Sequence, residues 1–186
     1  MVSGRTLADI DRILEGRVKA VAAVHGLVRR DAAGTLHESA PHARLADVTA
    51  ALHDFAQRDS GLLVEEKGLS VALHFRLAPR QAAEARAVAR RLAAETGLTL
   101  QEGDMVEELR TPGPTKADSV GAFLAEAPFT GATPLFIGDD ATDENGFRAA
   151  RALGGAGILV GPVRPTQALY RLNDVDAVMA WLESAL

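Results

Sequence analysis

The stretch that most constrains this 186-residue chain is Pro134-Leu-Phe-Ile137, an unbroken apolar run leading into Gly138-Asp139-Asp140-Ala141-Thr142-Asp143-Glu144. A strand that is apolar on consecutive residues needs cover on both faces, which parallel sheets obtain from crossover helices. Gly157-Ile-Leu-Val160 repeats the pattern. Helices are expected over 115–125, from Glu144 to Leu153, and over 174–185. Short apolar strands alternating with helices specify an α/β unit built on a parallel sheet.

Residues 62–109 follow a different rule. Leu69, Val71, Leu73 and Phe75 alternate with Ser70, Ala72, His74 and Arg76, the period-two mark of a sheet with one covered face. Strands are expected over 62–66, 69–76, 98–101 and 105–109, of antiparallel type, with helices over 43–58 and 79–96. The second helix has Pro79 near its first turn and Gly97 after its end. Nearer the N-terminus, residues 6–16 read as a helix, with Thr6-x-x-Asp9 resembling a capping box. Val18 to Val28 is apolar and β-branched, and Asp31-Ala-Ala-Gly34 beyond it reads as a turn, so a hairpin through Leu36 is expected. A Thr-Pro-Gly-Pro turn at 111–114 precedes the final third.

Composition removes several classes of function. A hydrophobic content of 47% with 24% charged residues excludes a disordered chain. No apolar run approaches the roughly 18 residues of a membrane span. With no cysteine there is no disulfide framework, thiolate zinc site or cysteine nucleophile. A formal net charge of −5 argues against nucleic acid as the partner, and Met1-Val2-Ser3-Gly4-Arg5 lacks a signal-peptide pattern. The expectation is a soluble, cytoplasmic globular protein without a membrane or nucleic-acid partner; the sequence does not set its oligomeric state.

Asp139, Asp140 and Asp143 stand where an apolar strand ends, the edge at which open parallel sheets bind ligands. Hard oxygen donors massed there suit Mg²⁺, which takes one or two carboxylates plus waters and substrate phosphate. The same residues equally suit the cap of the following helix. An EF-hand does not fit, because position 12 counted from Asp140 is Arg151. Ser3-Gly4-Arg5, opening a helix, offers a hydroxyl and free N–H groups to a phosphate oxygen, or is an ordinary cap. Lys116 follows a Pro/Gly turn at a helix start and offers an ammonium to a phosphoryl group, or is a solvated surface charge. Lys116, Lys67 and Lys19 are the only lysines among twenty basic residues. Glu65, Lys67, His74, Arg76 and Glu108 cluster on strands and supply the donors and acceptors a sugar needs, or form a solvated outer face.

Taken together, Val2-Ser-Gly-Arg5, His25-Gly26 with Arg30, Val64-Glu-Glu-Lys67-Gly with His74-Phe-Arg76, Gly103 with Glu108, Lys116 and Gly138-Asp-Asp-Ala-Thr-Asp-Glu144 resemble the trehalose 6-phosphate phosphatases. These belong to the haloacid dehalogenase superfamily of Mg²⁺-dependent phosphohydrolases. The resemblance runs from residue 2 to about residue 160. It implies an α/β fold with a Rossmann-like parallel sheet formed by 1–37 and 111–186, and an inserted α+β cap over 38–110. It further implies that Ser3 binds the phosphoryl oxygen, beside Arg5, and that Lys116 neutralises the phosphate. Asp139 becomes a Mg²⁺ ligand, with Asp143 supporting the metal or Lys116. Glu65, Lys67 and Glu108 bind the disaccharide, with His25 and Arg30 at the junction of cap and core. Asp104 stands where the family usually has lysine, which puts one sugar contact in question.

The family's chemistry starts on an Asp-x-Asp-Gly-Thr strand whose first carboxylate attacks phosphorus and whose second acts as general acid, then base. Residues 1–186 hold no such motif. Asp9-Ile-Asp11 and Asp174-Val-Asp176 have the spacing, but Arg12 and Ala177 follow them, and both pairs fall in expected helices, where i and i+2 do not share a face. The expectation is therefore a sheet lacking its nucleophile strand, through a misplaced start codon or a shortened gene product, and a chain inactive by itself. The alternative function is a sugar-phosphate-binding pseudophosphatase or regulatory fragment.

Overall fold

A computed structural model describes residues 1–184. The chain divides into two compact units, Met1–Pro114 and the residues from Thr115 onward. No helix of the described residues is long and apolar enough to cross a membrane.

In the first unit, α1 (Leu7–Ile13) starts at Thr6, whose hydroxyl accepts the Asp9 N–H as the sequence predicts. The helix is shorter than expected because Glu15 and Gly16 adopt positive φ and unwind its end. The run from Val18 to Val28 does not stay extended. It forms β1 (Val21–Ala23), breaks at Val24–Gly26 in a single tight turn, and resumes as β2 (Val28–Arg30). The turn is closed by left-handed backbone at Val24 and His25, a conformation that a β-branched residue resists. β-Propensity at Val24 has lost to tertiary context here. The expected hairpin then pairs β2 with β3 (Leu36–Glu38). Met1–Arg5 runs parallel to β1, through Ser3 N–H to Ala22 C=O at 2.8 Å and Ala22 N–H to Met1 C=O at 2.8 Å. Arg30 grips both Asp11 oxygens at 2.7 Å and the carbonyls of Val18 and Lys19, pinning α1 to this sheet.

The rest of the first unit is α2 (Leu45–Ala56), β4 (Leu63–Glu66), β5 (Ser70–His74), α3 (Ala82–Thr96), β6 (Thr99–Gly103) and β7 (Val106–Arg110). The strands form one antiparallel sheet in the order β4-β5-β7-β6, matching the four predicted within a residue or two at most ends. Period two decides the faces. Val71, Leu73, Phe75 and Leu109 turn to the helices and pack with Leu52, Phe55, Ala89 and Leu92 in one core. Ser70, Ala72 and Glu108 turn the other way.

The second unit holds α4 (Lys116–Leu124), β8 (Leu135–Gly138), α5 (Glu144–Ala152), β9 (Ala156–Val160), β10 (Tyr170–Leu172) and α6 (Val175–Ser184). Its sheet is parallel in the order β10-β9-β8, as the apolar runs require. β10 carries no apolar run and was not anticipated; its three residues pair with Ile158, Leu159 and Val160. Of the helix expected over 174–185, residue Ala185 lies outside the described residues.

One charged group on the core face is buried. Glu107 is fully buried on β7, its oxygens make no hydrogen bond, and the Arg86 guanidinium lies 3.4 Å away. Burial, reinforced by the nearby Glu102, raises its pKa from the ordinary 4.5. A carboxylate with a raised folded-state pKa costs stability above its unfolded value, and the cost fades as pH falls below it. Replacing a poorly satisfied buried charge by an apolar group of similar size is often stabilising. Glu107→Met is therefore expected to raise stability at pH 7 by about 1 kcal/mol or more, read from the urea midpoint, with the gain shrinking below pH 4.5. A destabilised variant at pH 7 contradicts this account.

Candidate active site

The polar face of the four-stranded sheet is ordered by register. Glu65, Ala72, Glu108 and Gln101 form one row across β4, β5, β7 and β6. Small Ala72 leaves the space above it to its neighbours. Glu108 is the centre of this row and is 5% exposed, so the face is not a solvated outer surface there. Its Oε1 accepts the Ser70 hydroxyl at 2.6 Å, and its Oε2 meets Lys67 Nζ at 2.7 Å and His25 Nε2 at 3.3 Å. Lys67 lies 3.8 Å from Glu65, which accepts from His74 at 2.9 Å. Burial acts to raise the Glu108 pKa, but the His25 hydrogen bond and the Lys67 charge override it and hold the group at about 2.

His25 is 8% exposed and also contacts Gln101, whose amide nitrogen lies 2.9 Å from Nε2 and 3.0 Å from Nδ1. With both ring nitrogens within 3.0 Å, the Gln101 amide packs against the imidazole while Nε2 faces Glu108. Against the other side of the ring lies the Ser3-Gly4-Arg5 loop. A Cβ on Gly4 would fall 2.4 Å from His25 Nε2, so only glycine lets backbone and imidazole touch. Ser3 Oγ accepts the Arg5 N–H at 3.2 Å. Arg5 is exposed. Asp104, exposed at the tip between β6 and β7, pairs with Arg76 at 2.8 Å.

In the second unit Lys116, at the start of α4, reaches the loop after β8 that carries Asp139 and Asp143. Thr115 caps α4 in a reciprocal box with Asp118, which places Lys116 on the first turn. Its side chain is buried, with Nζ donating to Asp143 Oδ1 at 2.6 Å and to Thr142 Oγ1 at 2.9 Å. Asp143 Oδ2 accepts the N–H groups of Asp139 and Asp140, and a Cβ on Gly138 would meet that oxygen at 2.4 Å. Glycine at the strand end thus lets Asp143 fold beneath it. Of the two roles expected for Asp143, its contacts fit support of Lys116, since both oxygens are engaged. Asp140 caps the following turn through Thr142 N–H. The exposed Asp139 carboxylate has no hydrogen-bond partner among the described residues. An exposed carboxylate without a hydrogen-bond partner among the described residues offers the hard oxygen donor that Mg²⁺ takes together with waters and phosphate, so Asp139 fits the ion.

Sequence reasoning had not singled out Ser70, Gln101, Thr142 or Arg164. The first two were legible from parity, because they share the Glu108 face. Arg164, which donates to Glu144 and to the Asp139 and Asp140 carbonyls, had no signal in the sequence. A carboxyl whose folded-state pKa is depressed contributes stability above its unfolded value, lost as pH falls through the folded one. For Glu108 that window runs from 4.5 down to about 2. Wild type is expected to lose stability across it more steeply than Glu108→Gln, measured by thermal midpoint against pH; parallel curves would remove Glu108 from the linkage.

The model of the trehalose-phosphatase family matches residues 1–176. The chain is 37% identical to the trehalose-6-phosphate phosphatase of Escherichia coli (strain K12) over 185 residues, covering 98% of this chain and 69% of that protein. Among solved structures, the C-terminal domain of C. albicans trehalose-6-phosphate phosphatase superimposes with a TM-score of 0.85 at 19% identity, covering 99% of this chain and 76% of that one. A haloacid dehalogenase-like hydrolase from B. subtilis gives 0.70 at 16% identity, covering 100% of this chain and 86% of that one. Likeness at such low identity speaks for the fold, and the fold is the haloacid dehalogenase-like α/β type. A family match along nearly the whole polypeptide fixes the relationship: this chain belongs to the trehalose-phosphatase family.

Proposed function

We propose that this chain supplies the recognition chemistry of a Mg²⁺-dependent sugar-phosphate phosphatase that converts trehalose 6-phosphate to trehalose and phosphate. The observation that carries the proposal is Lys116, a buried ammonium aimed by Asp143 and Thr142 at the loop bearing the unengaged Asp139 carboxylate. A fixed cation held away from water stabilises phosphoryl charge far better than a solvated one. Lys116 neutralises the phosphoryl group, and Asp139, at the end of β8, holds the metal. Bound Mg²⁺ supplies further charge neutralisation at a phosphoryl oxygen.

The first unit contributes the sugar. Glu108 and Glu65 accept hydroxyl protons, and Lys67 donates. His25 orients Glu108, while Arg30 acts from behind by bracing α1. Ser3, flanked by Arg5, offers its hydroxyl proton to a phosphoryl oxygen. The reaction also needs an attacking carboxylate, which forms an aspartyl phosphate as the sugar alcohol departs with a proton from a general acid, and water then releases the phosphate. No residue of 1–186 is assigned that part. Asp9 is bound to Thr6 and Arg12, Asp11 to Arg30, and Asp174 caps α6. We therefore assign the 186-residue polypeptide binding without turnover, which is also what a pseudophosphatase would show.

Trehalose 6-phosphate with Mg²⁺ is expected to raise the thermal midpoint of the 186-residue polypeptide, since a ligand of the folded state stabilises it, while no phosphate appears. Joining a segment that carries an Asp-x-Asp-Gly-Thr strand ahead of Met1 is expected to give phosphate release. In that chimera Lys116→Ala lowers the rate by about 10²–10³-fold. Steady turnover by the 186-residue polypeptide alone overturns the missing-nucleophile assignment. A midpoint raised only by a different sugar phosphate overturns the substrate.

A further inference from the structure

The sugar row and the Ser3 loop share one side chain. His25 touches Glu108 through Nε2, Gln101 through the ring nitrogens, and Gly4 with no space left between them. Its backbone is tied to the same loop, His25 N–H donating to Ser3 C=O and Val24 N–H to Arg5 C=O, each at 2.9 Å. Both Val24 and His25 hold left-handed backbone, at φ 45° and 58°. Residues kept in such conformations persist only where the surroundings over-determine them, and they collect at functional sites.

We propose that Gln101 is a positioning residue that fixes the His25 imidazole between Glu108 and Gly4, so that sugar engaging Glu108 displaces the Ser3-Gly4-Arg5 loop. The proposal rests on the sugar-binding role assigned to Glu108. Three contacts hold that carboxylate, at 2.6 Å from Ser70, 2.7 Å from Lys67 and 3.3 Å from His25. The longest is the weakest, so a sugar hydroxyl competing for Oε2 loosens His25 first. Gln101 decides what the ring does next. Its amide nitrogen, within 3.0 Å of both ring nitrogens, lies against the imidazole and resists rotation of the ring. Without that anchor the imidazole turns in place, and the change at Glu108 ends there. With it, the ring shifts as a body against Gly4, where no gap absorbs the movement.

The test uses trehalose, which has no phosphate, as the probe, and backbone amide resonances of the 186-residue polypeptide as the readout. In wild type, trehalose is expected to shift the amides of Ser70 and Glu108, reporting binding, and those of Gly4 and Arg5, reporting transmission. Gln101 is half-buried on a strand, where leucine is tolerated. Gln101→Leu is expected to keep the first set, with trehalose affinity reduced about tenfold or less, the worth of one hydrogen bond, and to lose the second set. Gly4 shifts of equal size in Gln101→Leu overturn the role of Gln101. Binding shifts in wild type without any at Gly4 overturn the coupling and leave the sugar site standing. No shift at Ser70 or Glu108 overturns the sugar site, and the coupling with it.

Discussion

A carboxylate taken out of water must be matched by charge and hydrogen bonds, or the fold carries several kcal/mol of uncompensated desolvation. Glu108 sets that condition for the first unit, and much of its architecture answers to it. The turn at Lys67-Gly68, closed by Lys67 N–H to Ser70 C=O at 2.9 Å, brings an ammonium and a hydroxyl to the two carboxylate oxygens. The register of β5 against β7 sets Ala72 opposite Glu108, so no bulky neighbour crowds the charge. The left-handed backbone at Val24 and His25 delivers the imidazole. A helix-packed sheet would be satisfied without any of these; the buried charge requires them together.

The second unit shows the same economy with three aspartates from one loop. Asp140 is consumed as a cap, Asp143 as the holder of Lys116 and of the loop's own N–H groups, and Asp139 is left facing solvent with its carboxylate unused. Identical side chains within five positions thus take a local part, a supporting part and, at Asp139, no hydrogen-bonding part among the described residues. What separates them is the direction in which the chain leaves β8. Gly138 makes the difference possible, because any Cβ there would occupy the place of an Asp143 oxygen.

The sequence revealed these features unevenly, for physical reasons. The apolar runs at 134–137 and 157–160 and the alternation at 69–76 are set by burial on two faces or one, and the parallel and antiparallel sheets follow from them. Glu65, Lys67, Glu108 and Lys116 were found through motif and strand position. Their partners Ser70, Gln101 and Thr142 were not: parity puts the first two on the Glu108 face, but a hydroxyl or amide gains its role only when register or a neighbouring loop brings a charge within reach. The break at Val24 ran against local propensity and depends on contacts with Met1–Arg5. β10 is too short, and too polar at Arg171, to carry a periodic signal.

Glu107 and Glu108 are adjacent and chemically alike, yet one faces aliphatic side chains without a hydrogen bond and the other anchors a polar row. Only the pleat distinguishes them. The connection between β6 and β7 is so short that shortening it by one residue would move the strand half a repeat and exchange the two glutamates, with the composition of the strand unaltered. Loop length at this hairpin thus decides by itself which glutamate joins the polar row, and a one-residue insertion or deletion there would dismantle that row as surely as replacing the glutamate.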